Sequence, residues 1–334
     1  MPSARQCRAR GDGMNPALSV IFFTTLSGAG YGLLFWSALA AWSGRVAPAP
    51  LLLATVSALV LVTVGLLSSL AHLGKPQRSW RAFSQWRTSW LSREGVAAVL
   101  TYAPALLLGA GLWLGWRDPS ASIAGIPWPG PLVVALCAVL ALCALATVAC
   151  TAMIYASLKP IPAWRHALVV PAYLLFALLT GGLLLAAATA LADPAPGFGN
   201  RPALAAIALA LVLGALKLRY WRDIDATPLP ATRGAAVGLP QRKVGVFERP
   251  GTEANYITRE MAFVLARRHA RWLRLLALLL FAVVPVLALL APWWLGHAAA
   301  APGYALAAMS ALAGAFVERW LFFAQARHLV TLYY

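Results

Sequence analysis

Ser69-Leu-Ala-His-Leu-Gly-Lys-Pro-Gln-Arg-Ser-Trp-Arg-Ala-Phe-Ser-Gln-Trp-Arg-Thr-Ser-Trp-Leu-Ser-Arg-Glu-Gly95 is a polar island between two long apolar segments. It holds His72, Glu94, the tryptophans Trp80, Trp86 and Trp90, and the cations Lys75, Arg78, Arg81, Arg87 and Arg93. The flanking segments show no apolar–polar alternation, so they are not strands of a membrane barrel. Each runs for about 20 residues, the length at which an α-helix crosses a bilayer with every backbone polar group satisfied internally.

The same pattern recurs along the whole chain. Of 334 residues, 61% are hydrophobic and 11% charged, where a water-soluble domain carries about 25% charged residues. Spans are expected at roughly 17–42, 51–71, 95–116, 131–156, 167–191, 203–217, 272–294 and 303–325, the sixth being the shortest. The fold class is therefore all-α: a polytopic transmembrane helix bundle of about eight spans, forming a single membrane domain over 1–334. It opens on an N-terminal tail (1–15), and translation starting at either Met1 or Met14 fits this pattern. No cleavable signal pattern is present there. Residues 218–271 are the extended polar region, irregular through Pro228, Pro230, Pro240 and Pro250, and ending in an amphipathic helix from Glu253 to Arg274. A connection of this length suits the docking of a soluble partner. Gly28-Ala-Gly-Tyr-Gly32 in the first span has the small-residue spacing of close helix packing, or of close approach by a ligand.

The formal charge of +17 lies in loops beside apolar spans, which points to orientation signals and anionic membrane lipid rather than to nucleic acid. Arg5, Arg8 and Arg10, the cations of the quoted stretch, Lys159, Arg165, Lys217 and the basic residues of 218–271 fall on one side. Arg45, Arg117 and Arg201 fall on the other. The cation-rich side is cytoplasmic by the positive-inside rule, and both termini lie there.

On that topology His72 closes the second span and Glu94 opens the third, at one cytoplasmic edge. Trp80, Phe83, Trp86 and Trp90 share a face at helical spacing, with Arg78 and Arg81 pointing away, as in an interfacial amphipathic helix. A quinone carbonyl requires a hydrogen-bond donor, quinone reduction requires protons, and the ring and tail require an apolar, aromatic cleft. His72 can donate or accept a hydrogen bond near pH 7, and a part-desolvated Glu94 can exchange protons with cytoplasmic water. Glu318, beside Arg319 within the last span, is a further candidate because charge inside the bilayer is costly. An interhelical Glu318–Arg pair is its structural alternative. Cys7, Cys137, Cys143 and Cys150 form no Cys-x-x-Cys pair, and no span has a central histidine, so neither an iron–sulfur cluster nor haem is expected in this chain. A transporter would show inverted repeats and broken helices at mid-membrane, and the sequence shows no such repeat.

His72-Leu-Gly-Lys-Pro-Gln-Arg-Ser-Trp-Arg-Ala, Trp90-Leu-Ser-Arg-Glu94 and Asn15-Pro-Ala-Leu-Ser-Val-Ile-Phe-Phe-Thr-Thr resemble the DMSO reductase membrane-anchor family. Tyr256-Ile-Thr-Arg-Glu-Met and Glu318-Arg-Trp-Leu-Phe-Phe-Ala-Gln-Ala-Arg-His are also similar to it. The resemblance covers nearly the whole chain. It implies a haem-free, quinone-interacting anchor (ubiquinone or menaquinone) in the bacterial inner membrane, bound to a molybdopterin catalytic subunit and an iron–sulfur electron-transfer subunit. The family's quinol-site histidine and glutamate fall on His72 and Glu94. Arg78, Arg81, Trp90 and Glu318 are expected to complete the quinone site. Lys75, Arg87, Arg93, Tyr256 and Arg259 are expected to meet the partner. The cytoplasmic placement of this edge and the opening from Asn15 to Gly32 resemble the sulfite dehydrogenase branch, which implies sulfite oxidation with quinone reduction. The alternative within the family is quinol oxidation feeding reduction of DMSO, another S-oxide or an N-oxide.

Overall fold

A computed structural model describes residues 18–71, 75–118, 130–192, 201–245 and 269–332. Eight helices in it are long and apolar enough to cross a membrane: α1 (Leu18–Ser43), α2 (Pro48–Leu70), α3 (Trp90–Arg117), α4 (Pro131–Ala156), α5 (Val169–Ala192), α6 (Arg201–Ala226), α7 (Ala270–Leu295) and α8 (Ala300–Ala324, continuous with a short 3₁₀ turn from His297). The expected all-α polytopic bundle is the fold found. Prolines mark several entries, as Pro48 and Pro131 do at the starts of α2 and α4, where a missing N–H costs no hydrogen bond.

With lipid outside, large apolar side chains gain nothing by facing inward, and small ones let helices approach. α2 shows the resulting pattern. Leu51, Ala54, Ala58, Val62 and Gly65 are buried against the bundle, whereas Leu53, Val56, Val60, Val64 and Leu67 form the exposed outer stripe. α1 is the hub, packing on α2, α4, α5 and α8. Its glycines set the distances: a Cβ at Gly32 would sit 1.8 Å from the Ala177 carbonyl oxygen of α5, and one at Gly30 would sit 2.9 Å from Ala58 O of α2. Gly28 has nothing within 4 Å. The helix-packing reading of Gly28 to Gly32 thus describes Gly30 and Gly32, while Gly28 borders a small cavity.

α7 is interrupted by a π-helical turn over Leu279–Val283. Pro285 lacks an N–H and crowds the carbonyl four residues before it, that of Phe281, so the widened turn falls where the ladder must break. Ser310 of α8 donates to Leu280 O at 2.7 Å, satisfying one freed carbonyl.

Two sequence expectations change. The sixth span does not stop at Lys217 but continues to Ala226, because Tyr220 and Trp221 are buried and the Lys217 ammonium has a buried counter-charge. The interfacial segment is a 3₁₀ helix over Pro76–Gln85, not an α-helix. Residues three apart eclipse in that geometry, so Trp80 and Phe83 align, with Trp86 at its end, all exposed on the outer surface. Trp90 instead belongs to the first turn of α3. The amphipathic helix expected from Glu253 lies outside the described residues except for its end, where α7 begins at Ala270.

Candidate functional site

Glu94 lies in the second turn of α3 and is 4% exposed. Thr151 of α4 donates its hydroxyl to Glu94 Oε1. Two turns deeper, Thr101 and Thr147 meet at 3.2 Å. On antiparallel helices, positions 94 and 101 of one and 147 and 151 of the other form a matching polar seam inside an otherwise apolar contact.

Behind Thr151 the seam opens on a cavity of about 20 Å³ between α1, α4, α5 and α8. Its lining includes Thr25, Gly28, Tyr31, Thr151, Tyr173 and Arg319. The hydroxyls of Thr25, Tyr31 and Tyr173 are buried without a protein hydrogen-bond partner. A space of this size with several polar groups around it suits one ordered water, and leaving a buried hydroxyl unmet costs about 1–3 kcal/mol.

On the far side of Arg319 lies a buried charge cluster. Lys217 Nζ of α6 is 2.5 Å from Glu318 Oε1 of α8, and Arg319 Nη1 donates to Glu318 Oε2 at 3.0 Å. Aromatic faces complete the solvation of both cations. The Arg319 guanidinium carbon stands 3.5 Å from the Tyr173 ring centroid, and Lys217 Nζ stands 4.0 Å from that of Tyr220. Lys217, Glu318 and Arg319 are 1–3% exposed. Together with Glu94 they are the buried charged residues among those described, two cations and two carboxylates. An ionised Glu94 therefore brings the interior to neutrality, and a protonated one leaves it an excess positive charge.

The cluster is anchored at its cation-rich end. Arg274 of α7 holds Asp225 of α6 through two hydrogen bonds of 2.5 and 2.9 Å, and also reaches Gln325 Oε1 at 3.1 Å. Tyr220 donates to Ala163 O and Trp164 to Phe322 O, both at 2.9 Å, fastening the α4–α5 loop to α6 and α8.

The residues expected at the site separate into groups. Glu94 sits in the seam, whereas Glu318 occupies the neighbouring ion cluster with both oxygens facing cations. The interhelical pair is thus the arrangement found, with Lys217 rather than an arginine as the partner across helices. Arg78, Arg81, Lys75 and Arg87 are exposed, with Arg81 and Arg87 stacked near Trp80 and Trp86. Arg93 clasps the turn before α3, donating to Trp86 O at 3.0 Å and Arg87 O at 2.6 Å, with its guanidinium 4.3 Å from the half-buried Trp90 ring. His72, Tyr256 and Arg259 lie outside the described residues. Sequence reasoning missed Thr151, Tyr31 and Tyr173, which read as ordinary span residues. It also placed Lys217 among the loop cations, where the signal of a longer span was the apolar run from Ala203 to Leu216 resuming past it at Leu218, Tyr220 and Trp221.

Among the described residues no group of histidines, cysteines and carboxylates is placed to hold a metal ion. A family model described as the DMSO reductase anchor subunit matches residues 11–325. The chain is also 33% identical over 328 residues to a sulfite dehydrogenase subunit of Allochromatium vinosum, covering 96% of this chain and 99% of that protein.

Proposed function

The chain belongs to the DMSO reductase anchor subunit family, and on that premise we propose that it couples an iron–sulfur partner subunit of a molybdopterin oxidoreductase to the quinone pool of the bacterial inner membrane. The observation that carries this reading is Glu94: a buried carboxylate at the end of a transmembrane helix, hydrogen-bonded by Thr151 and bordered by hydroxyls with unmet hydrogen-bonding capacity. A quinone, when bound, accepts two electrons and two protons. Glu94 carries the proton at its carboxyl, and Thr151 fixes the orientation of that carboxyl. The 3₁₀ segment beside α3 supplies the apolar approach through Trp80, Phe83 and Trp86. Phe83 packs directly over Gly95, where a Cβ would lie 3.2 Å from its ring. His72 is proposed as the hydrogen-bonding partner of a quinone oxygen.

Likeness to a sulfite dehydrogenase subunit supports sulfite as the electron source, with flow toward quinone. The cation distribution supports a cytoplasmic partner and cytoplasmic termini. Lys75 and Arg87 are exposed at that edge and suited to an acidic partner surface. Glu94→Gln removes the exchangeable proton while keeping the shape, and should lower quinone-coupled turnover at least about a hundredfold, the usual scale for losing a positioned proton carrier. Dye-coupled activity of the co-purified soluble subunits should remain at the wild-type level. Wild-type quinone kinetics in this variant would overturn the assignment.

A further inference from the structure

At the end of the bundle opposite Glu94, a cleft of about 710 Å³ opens between α1, α5, α6, α7 and α8. Its volume is that of a lipid- or drug-sized ligand site. Leu185, Leu209 and Leu289 are among its apolar walls, with Tyr304 inside and Arg45 and Arg201 at its rim. Between those polar groups the walls are mainly apolar and favour hydrocarbon over water. Acyl chain is the material that a membrane offers in its place.

The arginines identify the headgroup. Orientation by positive charge leaves this side of the chain nearly free of cations, with Arg45, Arg117 and Arg201 as its arginines and His297 also in the cleft lining. Two of these three arginines stand at one cleft. Arg45 in the turn after α1 and Arg201 at the start of α6 both line it. Both arginines are exposed, and neither forms an ion pair among the described residues. A quinone is neutral and offers two guanidinium groups no charge to neutralise, whereas a phosphodiester does. We infer that this cleft binds one anionic glycerophospholipid, an acyl chain lying among the leucines and the phosphate held between Arg45 and Arg201.

The test is native mass spectrometry of the full chain in detergent, titrated with phosphatidylglycerol, with phosphatidylethanolamine of the same acyl chains, and with a short-chain ubiquinone. Two arginines near a headgroup should favour phosphatidylglycerol over phosphatidylethanolamine about thirtyfold. The double variant Arg45→Gln/Arg201→Gln, altered at exposed positions, should bind the two lipids alike. Ala186→Phe, which fills the cleft and keeps both arginines, should weaken both lipids without lowering the thermal midpoint of the chain. Equal affinity of the wild type for the two lipids, a preference that survives the double variant, unchanged binding in Ala186→Phe, or ubiquinone displacing the bound lipid would each overturn the proposal.

Discussion

Thr151 and Lys217 show what single side chains decide here. A hydrogen bond to a charged group contributes on the order of 1.5–3 kcal/mol, so Thr151→Val, which keeps the shape and removes the donor to Glu94, should reduce quinone-coupled turnover about tenfold or more. Thr151→Ser restores a hydroxyl and should recover most of it. Equal rates in the Val and Ser variants would mean that the contact has no part in proton handling. Lys217 makes a stability prediction. Removing one member of a buried ion pair costs about 3–5 kcal/mol, and Lys217→Met leaves the buried Glu318 with Arg319 as its remaining ion partner and the buried charges one negative out of balance. Adding Glu318→Gln returns the buried charge to balance, so the double variant should melt above the single Lys217→Met variant in the same detergent. Simple additivity of the two losses would contradict a shared charge balance. Neither residue's role was legible in the sequence, for one physical reason: a threonine or lysine at a span end reads as interfacial until its partner on another helix is known. The burial of Glu94 was legible because a carboxylate at the start of an apolar span has few reasons to be there.

Among the elements, the spans themselves were readable because lipid imposes their length and composition, and the ends were readable where proline or an aromatic run marks them. The 3₁₀ segment was not, since aromatic residues at 80, 83 and 86 share a face at either three or 3.6 residues per turn. Helix contacts within the bundle are set by glycine, and this makes a contrast that can be measured. At Gly32 and Gly181 a methyl group would penetrate backbone atoms, at 1.8 Å from Ala177 O and 2.1 Å from Gly32 C respectively. At Gly28 it would meet nothing within 4 Å. Gly32→Ala should therefore force α1 and α5 apart, at a cost of about 1–3 kcal/mol or more for overpacking, and should sharply reduce the membrane-extracted, monodisperse protein. Gly28→Ala should accumulate at the wild-type level. Similar losses at both positions would show that the α1–α5 crossing is not the tight contact described.

For the whole molecule, the distribution of charge makes the furthest-reaching prediction, because under the proposed function it assigns the compartment from which Glu94 would exchange protons and in which a partner would dock. Cations crowd the end that holds the 3₁₀ segment, the α4–α5 loop and the region after α6, while the opposite end has Arg45, Arg117 and Arg201. The positive-inside rule counts short loops near span ends, and the eight spans among the described residues place those loops alternately on the two ends. Single cysteines introduced into a cysteine-free background report the result directly. Ser84→Cys, exposed on the 3₁₀ segment, should react with a membrane-impermeant thiol reagent only after the cells are permeabilised. Ala298→Cys, exposed between α7 and α8, should react in intact cells. The opposite labelling would carry Glu94, the aromatic segment and the proposed docking surface to the outer face together. It would then favour quinol oxidation serving an external reductase over quinone reduction by a cytoplasmic sulfite-oxidising partner.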